Sequence, residues 1–117
     1  METLTIYHNP RCSKSRGALA LLQEKKVPLR IVEYLKDPPT RQELAALRKK
    51  LGLPPKEWIR KGEDAFEDAH LTLDMPEDKL LDAMAAHPVL IERPIIVRGD
   101  RAVLARPPER ALELIGK

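Results

Sequence analysis

The chain of 117 residues holds a single cysteine, one tryptophan, one phenylalanine and two tyrosines. One cysteine cannot close an internal disulfide, and it excludes a Cys-rich zinc or iron–sulfur centre. It fits a reducing compartment, so the expected location is cytoplasmic. With aromatics at 3%, the core has to be built mostly from Leu, Ile, Val and Ala. No apolar run approaches the ~20 residues that span a membrane. The start, METLTIYHNP, shows no charged leader followed by an apolar stretch. Charge of one sign is scarce too. Lys and Arg number 21 against 18 Asp and Glu, a net of +3 and a pI of about 9.1, too small and scattered an excess to argue for nucleic acid. The expected partners therefore include neither nucleic acid nor a membrane, and nothing asks for more than a monomer.

What is present suits one globular domain over residues 1–117, with 33% charged and 43% hydrophobic residues. Thr3 to Tyr7 alternates in polarity and predicts a strand, which Pro10 ends. A helix is predicted from about Ser13 to Lys26, stopped by Pro28, and a second strand over Leu29 to Tyr34. Strand–helix–strand makes a parallel pair the default. Thr40-Arg41-Gln42-Glu43 is a capping box for a helix that runs towards Leu51 and closes at Gly52. A short helical piece around Glu57 to Lys61 and a polar stretch to His70 follow. Pro76 starts a helix with Leu80, Leu81 and Met84 facing inward, ended by His87-Pro88. Pro94 to Val97 and Ala102 to Leu104 form a hairpin about Gly99-Asp100. A final helix is expected over Glu109 to Ile115. The fold class is α/β: β-α-β, then helices, then β-β-α. Two βαβ-like halves share one sheet with helices on both faces, a thioredoxin-like fold enlarged by a helical subdomain over about 40–87.

Cys12 stands where the first strand has ended and the first helix begins. Helix-start N–H groups near Ser13 to Arg16 would point at its sulfur, and the helix dipole favours negative charge there. Arg11, Lys14 and Arg16 add positive potential, His8 lies on the approaching loop, and Ser15 could donate to the same sulfur. Each effect favours thiolate over thiol. A buried inert cysteine is the competing reading, but HNPRCSKSR surrounds the thiol with polar and basic residues. The same geometry binds oxyanions, which suggests attack on the central atom of an anion.

HNPRCSKSRGAL resembles the signature of the glutaredoxin-coupled arsenate reductase family, the ArsC family. YLKDPPTRQEL, WIRKGEDAF, HPVLIERPIIV and LARPPE resemble further segments of that family in the same order, so the similarity covers essentially the whole chain. Ser13-Lys14 replaces the Gly-Thr of the best-known members, which brings the chain closer to a shorter subgroup. The resemblance implies that Cys12 is the nucleophile for arsenate or a similar oxyanion. It implies that Arg60, Arg93 and Arg106 hold the oxyanion, and that His8, Ser15 and Arg16 stabilise the thiolate. Arg93-Pro94 would be a cis peptide. No bound cofactor and no metal are expected. The electrons would come from an external thiol, glutathione with glutaredoxin or a thioredoxin-type reductant, because no second cysteine exists.

Taken alone, Arg60 beside Lys61 and Glu63 reads as an ordinary surface charge. Arg93, between an apolar run and a proline at a strand entrance, is a less common place for an idle charge, and Arg106, also before a proline, is intermediate. His70, His87 and Trp58 read as exposed, capping and packing residues. Two other functions fit the same residues: a monothiol glutaredoxin-like oxidoreductase, and a Spx-like regulator that binds RNA polymerase. The second lacks its Cys-x-x-Cys pair here, since Ser15 replaces the second cysteine.

Overall fold

The computed structural model, which describes residues 2–115, holds four strands in the predicted order and four α-helices, three of them where expected. They are β1 (Leu4–His8), α1 (Ser13–Glu24), β2 (Leu29–Glu33), α2 (Arg41–Leu51), α3 (Asp64–Asp68), α4 (Glu77–Ala86), β3 (Ile95–Arg98) and β4 (Arg101–Leu104). Short 3-10 segments occupy Pro55–Glu57, Pro88–Leu90 and Pro108–Leu114. The chain divides into two compact units: one formed by the residues before Pro38 and after Glu92, the other by Pro38–Glu92.

In the first unit the sheet order is β2-β1-β3-β4. β1 pairs parallel with β2, from Leu4↔Leu29 to His8↔Glu33, and antiparallel with β3 through Ile6↔Ile96. Gly99, at φ 60°, takes the left-handed conformation that lets β3 turn directly into β4. Alternation along β1 sends Leu4, Ile6 and His8 to one buried face. Leu4, Ile6, Ile96 and Val103 meet Ala18 and Leu22 of α1 and Ala111 and Leu114 of the last segment in one cluster. Both helical segments of this unit therefore lie on the same sheet face. Each buried Leu or Ile contributes roughly 1.5–3 kcal/mol, which is how a core nearly free of aromatics holds.

Three boundaries differ from the sequence reading. α1 stops at Glu24, because Lys26 turns left-handed at φ 58°. β2 stops at Glu33, whose carbonyl accepts from both Lys36 N and Asp37 N and bends the chain away. The last segment is a 3-10 helix over Pro108–Leu114 rather than an α-helix over Glu109 to Ile115. Seven residues offer few α-type hydrogen bonds, so docking of Ala111 and Leu114 decides the geometry. Arg98 Nη1 fastens this segment by donating to the Leu114 carbonyl at 2.7 Å.

In the second unit the capping box forms as expected. Glu43 N donates to Thr40 Oγ1 at 3.0 Å, and Thr40 N to Glu43 Oε1 at 2.9 Å. Gly52, at φ 69°, closes α2 and donates its N–H to the Arg48 carbonyl. Leu44 and Leu47 of α2 are buried, as are Leu80, Leu81 and Met84 of α4. Trp58 is wholly buried, and its Nε1 donates to the Leu53 carbonyl at 3.1 Å. The expected helical piece around Glu57 is the 3-10 turn Pro55–Glu57, and Ile59 then bridges to Ile91. α3 lies inside the stretch read only as polar. It buries no residue, so no apolar stripe announced it.

Candidate active site

β1 is an inner strand of the sheet, and at its C-terminal end the turn His8-Asn9-Pro10-Arg11 hands the chain to α1. Cys12 N donates to the Asn9 carbonyl at 3.0 Å, and the Cys12 carbonyl accepts Arg16 N at 2.9 Å as the first helical bond. Cys12 is thus the N-cap of α1, with extended backbone at φ −96° and ψ 122°. A cysteine there replaces the oxygen of an ordinary cap. Its sulfur makes no full cap hydrogen bond, but it remains half-buried among the unpaired N–H groups of the first turn.

Partial burial pushes the Cys12 thiol up. The Ser15 N–H, the charge of Arg93, the Lys14 N–H and a hydrogen bond from the Arg93 side chain together outweigh it. The net result is a thiol held below its ordinary value, the direction the sequence predicts. The guanidinium that contributes to this comes from Arg93, eighty-one positions along the chain from Cys12. Arg106 joins it, with Nη1 reaching the Arg93 carbonyl at 3.5 Å. The peptides Arg93–Pro94 and Arg106–Pro107 are both cis.

The other expected thiolate partners are placed differently. Ser15 is fully buried, with Oγ 2.6 Å from His8 Nδ1 and accepting Asn9 N at 3.0 Å. Its hydroxyl therefore serves His8 and the turn, and its backbone N–H is what acts on the sulfur. His8 is buried at the end of β1. Burial lowers its pKa most, Arg16 lowers it further, and Glu33 raises it, for a net lowering. Burial thus favours the neutral imidazole at His8. Arg16 Nη1 donates to the Pro10 carbonyl at 3.0 Å and ties down the turn.

Arg60 belongs to the second unit. Its guanidinium is a quarter exposed and lies 2.8 Å from Glu63 Oε2 and 3.5 Å from Glu92 Oε1, and its N–H donates to the Leu90 carbonyl. That setting is more built than the surface charge its local sequence suggests. A cleft of about 280 Å³ also lies in this unit, lined by Pro54, Pro55, Leu73, Met75 and Leu80 among others. None of the expected site residues lines it.

Two residues stand in the site beyond those expected there, Asn9 having been read only as a turn residue. Asn9 organises the turn: its Oδ1 accepts Arg11 N at 3.0 Å, its N–H reaches Ser15 and its carbonyl accepts Cys12 N. Asn before Pro was legible as a turn signal. Glu33 faces His8 through the parallel register, and no local pattern could have shown that.

The model of the ArsC family matches residues 7–114. The chain belongs to the ArsC family. An arsenate reductase of Escherichia coli K12 is 39% identical over 98% of this chain and 82% of its own length. YfgD of the same organism, named only as uncharacterized, is 43% identical over 98% of both chains. The solved structure of an arsenate reductase from Vibrio cholerae superposes with a TM-score of 0.90 at 41% identity, covering 96% of this chain and 97% of that one. The ArsC-family fold is the α/β, thioredoxin-like fold with a helical insertion that the sequence predicts. Among the described residues, no helix is long and apolar enough to cross a membrane. No group of three or more His, Cys, Asp or Glu among them could hold a metal ion.

Proposed function

We infer that this ArsC-family protein is an arsenate reductase, an oxidoreductase that works through Cys12. The observation that carries the reading is a half-buried cysteine at a helix start, its thiol lowered by the Ser15 N–H and by the guanidinium of Arg93. Relatives about 40% identical over nearly the whole chain are arsenate reductases. The Cys12 thiolate attacks arsenic(V), forming a sulfur–arsenic bond as one oxygen leaves as water or hydroxide. Arg93 and Arg106 offset the charge of the anion. The planar fork of arginine can meet two oxygens at once and stays protonated throughout. The resemblance supplies Arg60 as a third oxyanion ligand. His8, Ser15 and Arg16 support the thiolate by holding the turn and the helix start in place.

Two electrons then reduce arsenic(V) to arsenic(III). With one cysteine in the chain, two thiols of its own cannot close into a disulfide to supply them, so external thiols are oxidised to a disulfide as arsenite leaves. Glutathione with glutaredoxin, or a thioredoxin-type protein, fills that role. The protein works as a cytoplasmic monomer with no bound cofactor or metal, and with no nucleic acid or membrane partner.

The test is arsenate-dependent thiol oxidation with glutathione and glutaredoxin, run in parallel with thioredoxin. Wild type turns over with at least one of the two systems, and Cys12→Ser falls to background. Equal turnover by the two proteins would end the proposal.

A further inference from the structure

His8 closes β1 just before the turn that carries Cys12. In the parallel β1–β2 ladder its partner is Glu33, so both side chains leave the sheet on the same face. That face is the one α1 covers, since Leu4 and Ile6 of the same alternation pack on Ala18 and Leu22. His8 therefore has a carboxylate beside it from β2 and a guanidinium, Arg16, acting from α1. Burial works against a charged imidazole most strongly, Glu33 works for it, and Arg16 works against it.

The other end of the contact is the Ser15 hydroxyl, 2.6 Å from His8 Nδ1 and already accepting Asn9 N. A serine hydroxyl has one proton and two lone pairs. When Nδ1 carries no proton, the hydroxyl spends its own on the ring. When Nδ1 is protonated it must donate, and the hydroxyl proton is turned away from the ring. Ser15 is also the residue whose backbone N–H stabilises the Cys12 thiolate, so a change at its hydroxyl is felt at the sulfur.

We propose that Glu33 is a positioning residue of the cysteine site: from the neighbouring strand it opposes Arg16 at His8 and so sets which way the His8–Ser15 hydrogen bond runs. The proposal rests on Cys12 being the reactive thiol. Glu33 itself touches no substrate. Its outer side faces solvent, where Lys36 Nζ lies 3.6 Å from Oε1, so replacement by Gln keeps the shape and removes only the charge.

The experiment follows the His8 ring by NMR titration and the Cys12 thiol by the pH profile of iodoacetamide alkylation, with no arsenate present. It uses wild type, Glu33→Gln, Glu33→Asp and Arg16→Gln, the His8 signal being assigned by its loss in His8→Gln. Glu33→Gln moves the His8 midpoint down, Arg16→Gln moves it up, and Glu33→Asp stays nearer wild type than Glu33→Gln. The alkylation profile shifts in both Gln variants. A His8 midpoint that Glu33→Gln leaves in place, shifts of the same sign in both variants, or an alkylation profile indifferent to both would overturn the proposal. Because arsenate takes no part, these outcomes are independent of whether the protein reduces it.

Discussion

Arg41 and Arg48 of the helical unit and Arg93 of the sheet unit are put to opposite uses. In the helical unit, Arg41 bonds Asp78 and Asp82 at 3.0 and 2.7 Å, Arg48 bonds Glu77 at 3.0 Å, and Arg60 lies against Glu63 and Glu92. Arg41 and Arg48 are each answered on the spot by carboxylates. In the sheet unit, Arg93 acts on the sulfur of Cys12 and Arg106 reaches the carbonyl of Arg93. The difference teaches that charge count says little about chemistry. An arginine already matched to carboxylates fastens helices, whereas one aimed at a thiol changes which protonation state that thiol prefers.

Substitutions can break this contrast or sharpen it. The largest effect is expected at Arg93. Arg93→Ala removes both its charge and its hydrogen bond, so the alkylation midpoint of Cys12 rises towards that of a free thiol. The kcat/KM for arsenate falls roughly ten-fold or more, the scale of a lost hydrogen bond to a charged group. Arg93→Lys keeps the charge, loses the fork and falls between. An unchanged midpoint in Arg93→Ala would erase the distinction between the two units. Thr40→Ala comes next and touches only the helical unit. Loss of the α2 cap costs about 1 kcal/mol, read as a drop of a few degrees in Tm, with the alkylation rate of Cys12 untouched. The smallest effect is expected from Arg48→Gln. Its ion pair with Glu77 is exposed and screened by salt, so Tm at physiological salt stays within error of wild type. A Tm loss larger than that of Thr40→Ala would show that these surface pairs carry the unit.

Much of the fold was legible because its signals are local. Pro10 and Pro28 bracket α1, the Thr40–Glu43 box starts α2, Gly52 ends it, and Gly99 turns the hairpin. Each works through residues a few positions apart, and each appears where expected. α3 was missed because it buries nothing. Within the site, Cys12 at the start of α1 was equally legible, since strand, breaker and helix surround it in sequence. The roles of its neighbours were not. Ser15 and Arg16 are close to Cys12 along the chain, but the Ser15 hydroxyl serves His8 and the Arg16 guanidinium holds Pro10. A sequence gives proximity along the backbone, not the direction a side chain takes.

By itself, then, the sequence determined that a lone, non-disulfide cysteine caps a helix after a strand, because strand alternation, the Asn-Pro break and helix-start chemistry act within a dozen residues. Only the tertiary structure decided which distant groups tune it. Arg93 meets the sulfur, and Glu33 meets His8 through the strand register. Such pairings depend on how the strands align and on where the chain returns, and no local periodicity encodes either.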